Sequence, residues 1–129
     1  MAESKEELIT FWHQGALQNR LEALDNFKIK HYNWSLFIWH LALEKLLKAQ
    51  ITKHNQTIPW VHNLAVLCEH ASIKLTKEEF SWISEINSFN LNTRYDDYKL
   101  AFYKKATEEY TQKWINTCER LFKKFSKDL

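Results

Sequence analysis

A chain of 129 residues with 45% hydrophobic and 26% charged side chains has the size and composition of one globular domain, which excludes an intrinsically disordered protein. One glycine and one proline supply almost none of the turn residues that β-hairpins and β-barrels need, so long helices are expected. The net charge of +2 is too small to identify a nucleic-acid-binding protein from charge alone.

The first residues and the two cysteines favour a cytoplasmic location. Residues 1–7 are polar and acidic, and no apolar run approaches the length of a membrane span. Cys68 and Cys118 each lie in an apolar helical pattern, which is typical of small buried side chains in a reducing compartment. We therefore expect neither a disulfide nor a zinc site.

The first predicted helix begins at Ser4, which can form a capping box with Glu7. Apolar residues then recur at helical spacing as far as Phe27. Asn33 is predicted as the N-cap of a second helix, which runs from Trp34 to about Lys53.

The second predicted helix is apolar almost all round, which is typical of a helix in the centre of a bundle. Its exceptions are His40, Glu44 and Lys48, which are spaced by four and so form one polar row, with Lys45 beside it. This row is the first candidate for a functional site.

Residues 54–60 are predicted as a loop, and a third helix is predicted from Val61 onwards. The fourth helix begins with a capping box at Thr76 and Glu79 and turns Phe80 and other apolar residues inward. Residues 90–98 have weak helical periodicity and are predicted as a connection.

One long final helix is predicted from Tyr103 to Phe125. Residues 99–129 carry eight Lys or Arg and four Asp or Glu, so this helix could face phosphates, although a solvated basic face is more common. Residues 1–129 are therefore predicted to form a single all-α domain, an up-and-down antiparallel bundle of four to five helices.

The motifs of several enzyme classes are missing from the sequence. It has no Glu-x-x-His pair for a di-iron site, no His-Glu-x-x-His, no Cys-x-x-Cys and no Gly-x-x-x-x-Gly-Lys loop. These absences argue against a metal ion or a dinucleotide cofactor, and we expect no cofactor.

Three segments, in order, resemble the HEPN domain family. Residues 34–49, which end in Ala-Leu-Glu-Lys-Leu-Leu-Lys-Ala, are similar to its second-helix signature, an Ala-x-Glu-Lys-x-x-Lys-Ala run. Residues 61–64, Val-His-Asn-Leu, are similar to its Thr-His-Asp/Asn-Leu element at the start of the third helix. Residues 90–96, with Thr-Arg-Tyr-Asp at 93–96, are similar to its Ala-Arg-Tyr-Pro segment before the final helix. The resemblance covers roughly residues 8–126.

The resemblance implies a dimeric helical bundle that often pairs with, or is fused to, a minimal nucleotidyltransferase. The roles that it implies are nucleotide binding, RNA cleavage and toxin–antitoxin pairing. Ribonucleases of this family carry Arg-x(4–6)-His, but the present chain has no histidine after His70 and none at that distance from an arginine. The missing histidine, the group that titrates near neutrality, argues against ribonuclease activity and against classing the chain as an enzyme.

The candidate ligand-binding residues combine the polar row with the segment that resembles Ala-Arg-Tyr-Pro. They are His40, Glu44, Lys45, Lys48, Arg94, Tyr95 and Asp96. In this hypothesis Arg94 binds a phosphate while Tyr95 stacks on a base.

Structural alternatives stay open for each of these residues. Glu44 can pair with Lys48 or Arg94 simply to stabilise the bundle, and Arg94 can cap helix carbonyls. His62 at a helix start is more often a structural hydrogen-bonding residue than a ligand-binding one. Trp39 and Trp60 would indicate a subunit interface if exposed and a core position if buried.

We therefore predict a non-catalytic nucleotide- or RNA-binding and interaction module, a homodimer with a nucleotidyltransferase partner in a toxin–antitoxin-like system. One alternative is a divergent, metal-independent ribonuclease that uses Arg94 with a partner other than histidine. A second alternative is a scaffold dimer that binds no small ligand.

Overall fold

The computed structural model of the protein describes residues 4–129. Six helices follow one another along this part of the chain: α1 (Lys5–Lys28), α2 (Tyr32–Lys53), α3 (Leu64–His70), α4 (Lys77–Arg94), α5 (Ala101–Lys105) and α6 (Glu108–Phe125). No strand occurs among the described residues. The predicted all-α bundle is confirmed, with six helices instead of four or five.

Helix α2 is the centre of the bundle, as its apolar sequence predicts, and it packs against α1, α4 and α6. The Ser35 hydroxyl donates to the carbonyl of Ala23 at 2.7 Å and joins α2 to α1. The Gln50 amide donates to the carbonyls of Phe125 and Lys127 at 2.8 and 2.9 Å, which joins α2 to the end of α6. Trp39 is fully buried and belongs to the core.

The starts of α1 and α4 follow the predicted caps closely. The hydroxyl of Ser4 accepts from the amide of Glu7 at 3.1 Å, and Thr76 and Glu79 form both bonds of a capping box at 3.0 and 2.9 Å. These two starts are local in sequence, which explains why spacing alone predicts them.

The helix ends are unusual because glycine is absent from them. Helices α1, α2 and α3 each end in a Schellman motif, in which the residue in the left-handed conformation is Lys30, Asn55 or Ser72. Glycine favours this conformation, and other residues adopt it at some cost.

Two predicted helix starts are wrong by a few residues. Helix α2 begins at Tyr32 after His31, so Asn33 lies in its first turn and is not the N-cap. Helix α3 begins at Leu64 and not at Val61, because the side chain of Asn63 accepts from the amides of residues 65 and 66 and caps the helix there.

The predicted connection over residues 90–98 is half wrong, because α4 continues to Arg94 and buries Asn90 and Thr93. The predicted final helix is divided, because Thr107 caps a new helix and separates α5 from α6. Phe80 was predicted to face inward, but it lies on the outer side of α4 with 57% of its surface exposed.

Neither cysteine takes part in a disulfide, and both are buried. Burial raises the pKa of the Cys68 thiol to about 12, so that this group stays protonated. None of the helices described in residues 4–129 combines the length and the apolar character that crossing a bilayer would require.

Candidate functional site

The polar row of α2 surrounds a buried carboxylate. Glu44 has 6% of its side chain exposed and accepts from the amine of Lys48 at 3.0 Å. Its other oxygen lies 2.9 Å from Nδ1 of His62 and 3.9 Å from Nδ1 of His40. A buried charge requires such partners, so Glu44 fixes the side chains around it.

His62 reaches Glu44 from the segment before α3, and two asparagines hold that segment in place. The amide of Asn87 on α4 donates to the side-chain oxygen of Asn63 at 3.1 Å. The side-chain oxygen of Asn87 accepts from the amide of Leu64 at 2.9 Å. The imidazole of His62 remains 65% exposed, so its Nε2, on the ring edge away from Nδ1, is available to a ligand.

His40 is the buried end of the row. The side-chain amide of Asn90 lies 3.4 Å from its Nδ1, while its Nε2 is buried without a hydrogen-bond partner of good geometry. Burial lowers the pKa of His40 from 6.5 to about 4, against the opposing effects of Glu44 and Asn87. His40 is therefore neutral near pH 7 and supports the site without contacting solvent.

A pocket of about 450 Å³ lies beside these groups, and we call it the Trp12–Trp60 pocket. Trp12, Lys48, Trp60 and His62 line it together with apolar residues between positions 58 and 61. The amine of Lys48 lies 4.9 Å from the centre of the Trp12 ring, and Trp60 is fully exposed at the mouth. The pocket therefore combines two large aromatic surfaces with an ammonium group and an imidazole.

The structure brings together one half of the predicted site. His40, Glu44 and Lys48 share one cluster, and Lys45 lies next to them on α2 with its side chain against Gly15 of α1. Glu44 pairs with Lys48 and not with Arg94, which answers the alternative left open by the sequence.

Arg94, Tyr95 and Asp96 lie at the other end of α2. Thr93, next to Arg94, donates to the carbonyl of Asn33, which is eleven residues from Glu44 or about 16 Å along the helix axis. Arg94 is exposed and lies over the ring of Tyr95 at 5.1 Å. The predicted seven-residue set is therefore two separate groups.

Asp96 has a structural role at the start of α5. Its carboxylate accepts from the amides of Phe102 and Tyr103 at 3.0 and 2.8 Å. Desolvation raises the pKa of Asp96, but these amides and that of Asp97 outweigh it and hold the pKa below its ordinary value. The carboxylate is thus already occupied by the backbone.

Three residues of the site lie outside the predicted set: Trp12, Trp60 and His62. Trp12 and Lys48 are on different helices, so only the antiparallel pairing of α1 with α2 brings them together. For His62 a signal existed, because it falls within the Val-His-Asn-Leu element that resembles a family motif.

The HEPN domain model matches residues 9–129, nearly the whole chain. The chain belongs to the HEPN family. HEPN domains are generally related to nucleotides and RNA, and the helical bundle described above is consistent with this family. No curated protein and no solved structure matches the chain significantly. Among residues 4–129, no three histidine, cysteine or acidic side chains come together in a geometry that would hold a metal ion.

The low pKa of His40 predicts a pH-dependent stability. Between about pH 6.5 and 4 the unfolded chain binds a proton at this residue and the folded protein does not. The free energy of unfolding should therefore fall as the pH drops through this window, by roughly 3 kcal/mol in total. Urea unfolding at several pH values measures this, and His40→Gln should flatten the profile. The exposed histidine variant His70→Gln is the control, and an unchanged profile in His40→Gln would contradict the assignment.

Proposed function

We propose that this HEPN domain is a non-catalytic module that binds a nucleotide or a nucleotide of an RNA in the Trp12–Trp60 pocket. The observation that supports the proposal is the fully exposed Trp60 beside Lys48 and His62. A large apolar ring in open solvent has an unfavourable hydration free energy, and covering it with a base removes that cost.

The groups around the pocket match the two chemical parts of a nucleotide. The indole rings of Trp12 and Trp60 offer faces for a base, and stacking on an aromatic side chain contributes about 1–3 kcal/mol. The ammonium of Lys48 offers a donor to a phosphate, and the imidazolium form of His62, which donates from Nδ1 to Glu44, offers a second donor at Nε2. Glu44 contacts both Lys48 and His62, but it cannot itself contact a phosphate because it is buried.

Trp60→Ala tests the proposal with little risk to the fold, because the ring is fully exposed. We expect its affinity for AMP, ATP or a short RNA to fall about tenfold, as the loss of one stacking contact implies. Isothermal titration calorimetry measures the dissociation constant for each ligand.

Tyr98→Ala is the matched control, since it removes another exposed ring that does not line the pocket. Equal affinities of wild type and Trp60→Ala for every nucleotide and RNA tested would contradict the assignment of the pocket. If wild type binds none of them, the scaffold alternative is the better description.

The homodimer is the second part of the proposal, and the outer face of α4 supports it. Phe80 and Leu91 are 57% and 61% exposed, and they lie eleven residues apart, which is about three helical turns on one face. Ser84 between them is exposed and small enough for a second helix to approach. Two copies of this stripe in antiparallel orientation would place each Phe80 against the partner's Leu91, which is a two-fold interface.

Analytical ultracentrifugation tests the dimer. Leu91→Glu should convert a dimer into a monomer, because it introduces a charge into an apolar contact. Leu17→Glu is the control, since Leu17 is an exposed leucine on α1. A wild-type monomer at tens of micromolar would contradict the dimer. The further pairing with a nucleotidyltransferase, in a toxin–antitoxin-like system, is proposed on the family relationship alone.

A divergent ribonuclease is the second candidate function, and the His62–Glu44 contact of 2.9 Å favours it. A buried carboxylate that binds one imidazole nitrogen leaves the other free to act as a general base. His62 would take the proton of a ribose 2′-hydroxyl, whose oxygen would attack the adjacent phosphorus. The bond to the 5′-oxygen would break, that oxygen would be protonated by water, and a 2′,3′-cyclic phosphate would form.

Cleavage of a labelled RNA in EDTA tests this candidate. If wild type cleaves, His62→Ala should lower the rate by about 100-fold, the scale of general base catalysis, and a DNA without 2′-hydroxyls should stay intact. Arg94→Ala distinguishes a ribonuclease that uses the His62–Glu44 pair from the one expected from the sequence, which uses Arg94. Loss of activity in Arg94→Ala with full activity in His62→Ala would assign the chemistry to Arg94 and not to the His62–Glu44 pair.

A further inference from the structure

A second surface with aromatic and basic character lies at the opposite end of α2. Two adjoining pockets of about 370 and 330 Å³ share Lys30, Asn33 and Tyr103, so they form one continuous groove. Trp34 and His31 line one end and Lys104 lines the other. We call this surface the Lys30–Tyr103 groove.

The walls of the groove come from three elements. The turn between α1 and α2 supplies Lys30, the first turn of α2 supplies Trp34, and α5 supplies Tyr103 and Lys104. The α5 wall is held by the carboxylate of Asp96, which accepts from the amide of Tyr103 at 2.8 Å. The start of α5, which carries Tyr103, is therefore fixed by hydrogen bonds to Asp96.

Both aromatic rings are available to a ligand. Trp34 is 45% exposed and packs edge-on against Phe37, and Tyr103 is 58% exposed. The rings belong to different walls, α2 and α5, so a ligand that lies in the groove can contact both. Two separate rings suit successive bases of a strand better than one base of a mononucleotide.

The charge of the groove is positive. Within residues 4–129, neither Lys30 nor Lys104 takes part in an ion pair, and His31 adds an imidazole at the same end. Glu108 is an acidic residue near the groove. Desolvation is the main cause of the raised pKa of Tyr32, which lines the groove, and the negative charge of Glu108 raises that pKa further. The residues that line the two pockets include both ammonium groups and no carboxylate, which gives a net attraction for phosphates.

We propose that the Lys30–Tyr103 groove binds single-stranded nucleic acid, with bases stacked on Trp34 and Tyr103 and phosphates near Lys30 and Lys104. The groove is distinct from the Trp12–Trp60 pocket. Trp34 and Lys48 are fourteen residues apart on α2, which corresponds to about 21 Å along its axis. The inference therefore stands independently of the function proposed for the pocket.

Fluorescence anisotropy with a labelled twelve-nucleotide oligouridine tests the groove. We expect Trp34→Ala and Tyr103→Ala each to weaken binding about tenfold, because each removes one stacking surface. Lys30→Gln with Lys104→Gln should reduce the slope of log affinity against log salt by about 1.4, since each phosphate contact on a single strand contributes about 0.7. Trp34→Phe keeps a ring and should restore most of the affinity, which separates stacking from folding.

The controls lie outside the groove. Tyr98→Ala removes a ring that is 89% exposed, and Lys5→Gln with Lys127→Gln removes two exposed charges elsewhere. The corresponding oligodeoxyribonucleotide shows whether the strand is RNA or DNA, and either result supports the inference. Unchanged affinity in Trp34→Ala and Tyr103→Ala, or binding to anionic vesicles in place of the strand, would overturn it.

The experiments give different results if the proposal for the groove is wrong and if the proposal for the pocket is wrong. Trp60→Ala should leave the groove intact, so it lowers mononucleotide affinity without abolishing oligonucleotide binding. If AMP binds but no oligonucleotide does, the groove is wrong and the pocket stays supported. If the oligonucleotide binds and only Trp60→Ala weakens it, the strand occupies the pocket and the groove is again wrong.

Discussion

The buried charge of Glu44 is the constraint on which the arrangement of this molecule depends. In an otherwise apolar central helix, one carboxylate that is 6% exposed must find partners or destabilise the fold. It finds them in Lys48 on its own helix and in His62, eighteen residues away. The segment before α3 is therefore fixed against α2 by a charge as well as by apolar contacts.

The pairing of Glu44 with Lys48 and His62 explains the position of the candidate site. Lys48 contacts Glu44 with its ammonium and remains 17% exposed, whereas His62 contacts Glu44 with Nδ1 and keeps its other ring edge at the surface of the bundle. The same segment then presents Trp60 to solvent directly beside them. Under the proposed function, substitutions of Glu44, Lys48 or His62 would affect both stability and binding, whereas the exposed Trp60 contributes little to the fold and its substitution would test binding more directly.

The sequence predicted those parts of the site that depend on local spacing. The row of His40, Glu44 and Lys48 follows from the helical period alone. The caps at Ser4 and Thr76 follow from the three-residue spacing to Glu7 and Glu79. The proposed link from Glu44 to Arg94 failed because α4 runs on to Arg94 and carries it to the far end of α2. The ends of α1 and α2 were predicted to within one residue, although Lys30 and Asn55, and not glycine, adopt the left-handed conformation there.

The two proposed binding surfaces are related through α2. Trp34 and Lys48 are separated by fourteen residues, close to four full turns, so both surfaces lie on nearly the same side of this helix. A single strand long enough to cover about 21 Å would reach both, and the first contact would raise the effective concentration of the second. Such a strand would bind more tightly than a mononucleotide even if each surface alone were weak. A preference for strands over mononucleotides would then follow from the length of one helix and need no additional contact.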